Sequence, residues 1–131
     1  MSIGKHIMTI SKLFSALLIV VVLAIPGLSN AATPATKNGV TIIHLDEYNG
    51  YFAAQETLAG LKPGKYKFVI ANKTKKVVGF WLQDPKTKKF FDQFPLEVGE
   101  TRTVTANITE NGFRYRCPIN PTAWYDVGVS K

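Results

Sequence analysis

Residues 101–108, TRTVTANI, alternate between polar and apolar or small side chains, and the same period of two returns in KYKFVIA (65–71) and FRYRC (113–117). An extended chain with this pattern carries its apolar side chains on one side only, so each segment is a strand with one face to bury. VTIIHL (40–45), VVGFWL (77–82), residues 89–94 and residues 124–129 add short segments rich in β-branched and aromatic residues, without helical period. Lys62-Pro63-Gly64, Asp84-Pro85, Val98-Gly99-Glu100 and Asn111-Gly112 stand between them as turns. Proline presets φ in such turns, and glycine supplies positive φ. Single-faced strands must cover one another, so the pattern predicts an all-β chain folded as a β-sandwich. A short helical turn is expected over Ala53 to Leu58 (AAQETL).

The N-terminus follows a different pattern. Lys5 and Lys12 precede LFSALLIVVVLAI (13–25), an uncharged apolar run of 13 residues, and Pro26-Gly27 ends it. Ser29 and Ala31 fit the small-residue positions of a signal peptidase site, so residues 1–31 read as a signal peptide cleaved after Ala31. The rival, an uncleaved anchor, needs roughly 20 apolar residues. No cysteine closes the run, which argues against a bacterial lipoprotein. Residues 32–38 read as a flexible lead-in, and residues 39–131 as one domain. The expectation is a secreted or periplasmic protein with no transmembrane segment after cleavage.

Cleavage would leave 100 residues, enough for one modest core. They hold 14 Lys plus Arg against 9 Asp plus Glu. Much of the positive charge sits in three lysine groups, Lys62/Lys65/Lys67, Lys73/Lys75/Lys76 and Lys86/Lys88/Lys89. Their position beside apolar runs reads as solvated loops and strand faces. Export argues against nucleic acid as a partner and leaves an acidic protein or anionic membrane surface as the alternative. No Gly-rich phosphate loop, HExxH or CxxC occurs, and one histidine cannot build a Ser-His-Asp set without a nucleophile motif. An enzyme is therefore not expected.

The order of the segments resembles the cupredoxin family. LKPGKYKFVIANKT is a Pro-Gly turn and a strand ending in Asn72. PLEVGETRTVTANI is a Val-Gly-Glu turn into an alternating strand. ENGFRYRCPINPTAWYDVGV is an aromatic strand that brings Cys117 to a loop before a last strand. The resemblance covers about residues 40–131 and implies a cupredoxin-like Greek-key sandwich of about seven or eight strands. In that family a type 1 copper site takes two imidazoles, one thiolate and a weak axial thioether. Here Asn120 stands three residues after Cys117 where the family has His, no Met follows, and no His lies near Val77 to Gly79. With His44 the only histidine after the signal segment, a type 1 blue-copper centre is not expected. The style of KPGKYKFVIAN and GFRYRCPIN is closer to the non-blue cupredoxin-like domain of periplasmic, Efe-type iron-uptake proteins. For those the resemblance implies metal sites built from cysteine and acidic residues.

Cys117 is thus the first candidate ligand, a soft thiolate for copper(I) or a redox-active thiol. The alternative is a small buried hydrophobe. Arg114 and Arg116 alternate with it and point to the other face. His44 and Asp46 are secondary candidates. They share a parity on VTIIHLDE, so they can pair with each other or reach a metal, and Asp46 with Glu47 could hold a hard cation. The aromatics read as core, with Trp124 or Tyr125 filling the space of the lost axial ligand. The expected function is a metal-ion module for copper or iron, working with the ion itself or with a periplasmic metal-uptake partner. The alternative is a metal-free sandwich that binds an acidic partner through its lysine loops. That alternative requires the loops to cluster at one end.

Overall fold

A computed structural model describes residues 31–130. The signal segment, apart from Ala31, lies outside the described residues. The chain forms nine strands: β1 (Ala35–Lys37), β2 (Val40–Tyr48), β3 (Tyr51–Ala54), β4 (Gly64–Asn72), β5 (Val78–Gln83), β6 (Phe90–Leu96), β7 (Thr101–Ile108), β8 (Phe113–Arg116) and β9 (Tyr125–Val127). There is no helix among the described residues.

Two sheets result. The first runs β1-β2-β4-β7, with β3 also paired to β2, and the second runs β6-β5-β8-β9. β2 and β4 are parallel, from Val40 opposite Lys65 to Glu47 opposite Asn72. The other pairs are antiparallel. With β4 along one edge of β2, β1 and β3 share the other edge, opposite Val40–Ile42 and Leu45–Tyr48 respectively. This is an all-β sandwich of two sheets, as the pattern of single-faced strands implies.

The period of two decides which side chains go in. Tyr66, Phe68 and Ile70 are buried on β4, while Lys65 and Lys67 are exposed. Ile43 and Leu45 do the same on β2, and Phe113 and Tyr115 on β8. Each such side chain is worth about 1.5–3 kcal/mol when removed from water. The rings meet across the layers, Phe68 against Phe113 edge-on at 5.0 Å and Phe52 against Tyr115 at 5.1 Å. Gly112 shows why the Asn-Gly turn before β8 needs glycine: φ is +75°, and a Cβ there would lie 2.3 Å from the Val127 carbonyl oxygen.

Two expectations differ from the fold. The predicted helical turn over Ala53 to Leu58 is absent. Gly50, at φ +94°, turns the chain straight back, so Ala53 and Ala54 pair with Asp46 and Leu45. The lead-in is tied to the sheet: Ala35–Lys37 form β1, and the Thr57 amide donates to the Ala32 carbonyl at 2.8 Å. No helix among the described residues is long and apolar enough to cross a membrane.

Candidate metal centre

β2 and β4 finish at one end of the sandwich, where Glu47 lies opposite Asn72. β8 arrives at the same end from the other sheet, with Arg116 opposite Trp81, and Cys117 follows it. The inward positions of β2 are Ile43, Leu45 and then Glu47. The third of them is a carboxylate in an apolar row, and it is fully buried. Cys117 is also fully buried. A carboxyl group and a thiol therefore face the interior from opposing sheets.

The polar surroundings of the two groups differ. The Cys117 sulfur accepts the Gly79 amide at 3.4 Å and the Asn120 amide at 3.3 Å. The loop that follows is closed on itself: the Cys117 amide donates to Thr122 Oγ1 and the Thr122 amide to the Cys117 carbonyl, both at 3.2 Å. Gly79 lets this loop sit low over the sulfur, since a Cβ there would lie 3.1 Å from Pro118 Cδ. Asn120 also donates its side-chain amide to Asn49 Oδ1, which joins the loop to the β2–β3 turn. Glu47 has no such provision. Neither carboxylate oxygen meets a hydrogen-bond donor in good geometry. Its interaction is with the Cys117 thiol.

Burial therefore dominates the acid–base chemistry. It pushes the Glu47 carboxyl up to about 7, against a smaller lowering by Cys117. Burial also raises the Cys117 thiol. Glu47 raises it further, and the two amides on the sulfur oppose the shift. The metal-free pair thus favours a protonated thiol, and a carboxyl that keeps its proton up to about pH 7. Once deprotonated it offers one soft sulfur and one hard oxygen, with two N–H groups already aimed at the sulfur. No group of three or more His, Cys, Asp or Glu is gathered at a metal-binding spacing among the described residues.

His44 and Asp46 occupy the opposite parity of β2 and face outward. His44 Nδ1 pairs with Glu56 Oε2 at 2.7 Å, and the His44 amide donates to Glu56 Oε1 at 2.5 Å. Asp46 accepts from Gln55 Nε2 at 3.1 Å. The sheet separates both from Cys117, and they are not paired with each other. Glu47, one residue on, is the acid that the fold brings to the thiol. The signal for it was parity: Ile43, Leu45 and Glu47 share a face. Trp124 does not fill the space beside Cys117. It lies on the outer face, under Arg114 at 4.0 Å and near Trp81 with ring centroids 6.4 Å apart. Tyr125 instead stacks on Tyr115 at 5.1 Å, and its hydroxyl accepts the Phe52 amide at 3.0 Å.

No protein-family profile matches the sequence, and no curated protein does. Similarity appears among solved structures. The metal-binding domain of the Cu(I)-exporting P-type ATPase CopA of Streptococcus pneumoniae, determined with Cu(I), superposes with a TM-score of 0.52 at 13% identity. The match covers 79% of this chain and 99% of that domain. A multicopper oxidase from Campylobacter jejuni matches with a TM-score of 0.42 at 11% identity, over 79% of this chain and 30% of the oxidase. At such identities the likeness is one of fold.

Proposed function

We propose that this chain is a secreted or periplasmic metal-ion module, a binding protein rather than an enzyme, in which Cys117 and Glu47 hold a single copper ion. The observation that carries the reading is the buried Glu47 carboxylate, with both oxygens unpartnered and a thiol beside it. An unsatisfied buried polar group costs about 1–3 kcal/mol, and a charged one more. A cation would offset that cost. Thiolate favours copper(I), and the carboxylate suits harder ions, so copper comes first and iron second. The fold likeness to a Cu(I)-loaded domain supports copper. The style of the sequence, close to the Efe-type domain, supports iron. His44 and Asp46 take no part in this site.

The metal-free interaction reading has weaker support. Lys73, Lys75 and Lys76 follow β4 at the Cys117 end. Lys62 and Lys65, with Lys86, Lys88 and Lys89 between β5 and β6, lie at the other. The lysine loops do not form one cluster.

The test is native mass spectrometry of the reduced protein titrated with copper(I), copper(II) and iron(II). Wild type takes up one copper(I), Cys117→Ser takes up none, and Glu47→Gln binds more weakly. No stoichiometric uptake by wild type, or equal uptake by Cys117→Ser, would overturn the reading.

A further inference from the structure

On the outer side of the Cys117 end, the β2–β3 turn and the β4–β5 loop enclose an open groove of about 490 Å³, lined by Tyr48, Asn49, Tyr51, Lys73, Thr74, Lys75 and Lys76. We infer that this groove binds a compact polyanion, a small molecule carrying two or more carboxylate or phosphate groups. The inference stands on the groove alone and does not depend on the metal site.

The lining has a single chemical character. Three of its residues are lysines, and none is an acid. Among the described residues no carboxylate forms an ion pair with Lys73, Lys75 or Lys76. Asn49 has its Oδ1 occupied by Asn120, which leaves its amide NH2 as the group it can offer. The tyrosine hydroxyls add two O–H donors. Tyr48 and Tyr51 stack nearly parallel, with centroids 5.0 Å and planes 14° apart, and form a flat wall.

Three like charges within four residues repel one another, and a free loop would splay. This loop is pinned by Asn72, which is buried. Its amide nitrogen lies 2.8 Å from the Lys76 carbonyl, 3.2 Å from that of Leu96 and 3.0 Å from that of Glu97. Its Oδ1 accepts the Thr74 amide at 2.9 Å and lies 2.7 Å from the Thr74 hydroxyl. The repulsion is thus met by folding energy before any ligand arrives, which is preorganisation for an anion. The volume lies within the roughly 300–1,000 Å³ of small-molecule sites. A compact polyanion fits it better than an extended acidic chain.

The experiment is calorimetry with amide NMR on the metal-free protein, titrated at constant ionic strength with citrate and, separately, with pyrophosphate. The groove variant is K73Q/K75Q/K76Q. The control, K86Q/K88Q/K89Q, removes the same charge at the other end. Saturable one-to-one binding is expected, with shifts at residues 48–51 and 73–76. The groove variant should weaken it about tenfold or more, because three exposed charges are removed together. The control should bind as wild type. Citrate alone binding assigns carboxylates, pyrophosphate alone assigns phosphates, and either supports the site. Equal weakening by both variants, or no saturation at millimolar anion, would overturn it. Cys117→Ser should bind the anion normally, which separates this result from the metal test.

Discussion

Replacing Glu47 by leucine should stabilise the metal-free protein, by an amount that depends on pH. The Glu47 carboxyl is fully buried with no polar neighbour but the Cys117 thiol, and its pKa rises from 4.5 to about 7 on folding. The unfolded chain therefore loses this proton near 4.5, while the folded chain holds it to about 7. Over that window the folded state binds more protons, so stability falls as pH rises, and the loss is complete above the folded pKa. A shift of this size corresponds to about 3 kcal/mol. Below pH 4.5 the loss is absent, and only the unpaired neutral carboxyl remains, at about 1 kcal/mol. The assay is urea unfolding of wild type and Glu47→Leu, reduced and with chelator, at pH 4.5 and pH 8. The difference between the proteins should grow by about 3 kcal/mol between the two conditions. Groups that do not interact with Glu47 cancel in that difference, and the thiol of Cys117, which does interact with it, is held up by burial as well. A difference independent of pH, or a Glu47→Leu protein less stable than wild type at pH 8, would refute the burial of an unpartnered carboxylate.

Three further outcomes follow from the same geometry. Gly79→Ala should push Pro118, and with it the Cys117 loop, away from β5, costing about 1–3 kcal/mol in urea unfolding and weakening copper(I) binding. His44→Ala should leave copper(I) binding unchanged in a competition titration and cost no more than about 1 kcal/mol, as the imidazole that pairs with Glu56 is 40% exposed. The Cys117 thiol should react with a disulfide reagent far more slowly in the native metal-free protein than in denaturant, because its sulfur is enclosed and its pKa raised.

The strands were legible because their period of two is a local property. TRTVTANI is β7 to the residue, and KYKFVIA lies within β4. The position of Cys117 at the end of an aromatic strand was legible too, from the alternation of FRYRC. Its carboxylate neighbour was not singled out, although its parity was readable. Asp46 and Glu47 look alike as adjacent acids before a turn, and what separates them is the single step that puts one side chain outside and the other inside. The partner of His44 could not be read locally either. Glu56 reaches it only because Gly50 turns β3 back along β2, the turn that also displaced the expected helix. Trp124 misled for a similar reason. Its distance from Cys117 in sequence suits the vacant axial position, but the loop turns it outward onto Arg114 and Trp81.

The central claim is that one sulfur and one carboxylate oxygen, from opposing sheets, hold one metal ion. X-ray absorption at the copper edge of the copper(I)-loaded monomer tests it most directly, with Glu47→Gln measured beside wild type. The account predicts a low-coordinate site with one sulfur and one light donor atom in wild type, and an altered light-atom shell in the variant. Two or more sulfurs at the ion would place the metal between chains, and an unchanged spectrum in Glu47→Gln would remove the carboxylate from the site. Either result would contradict the account.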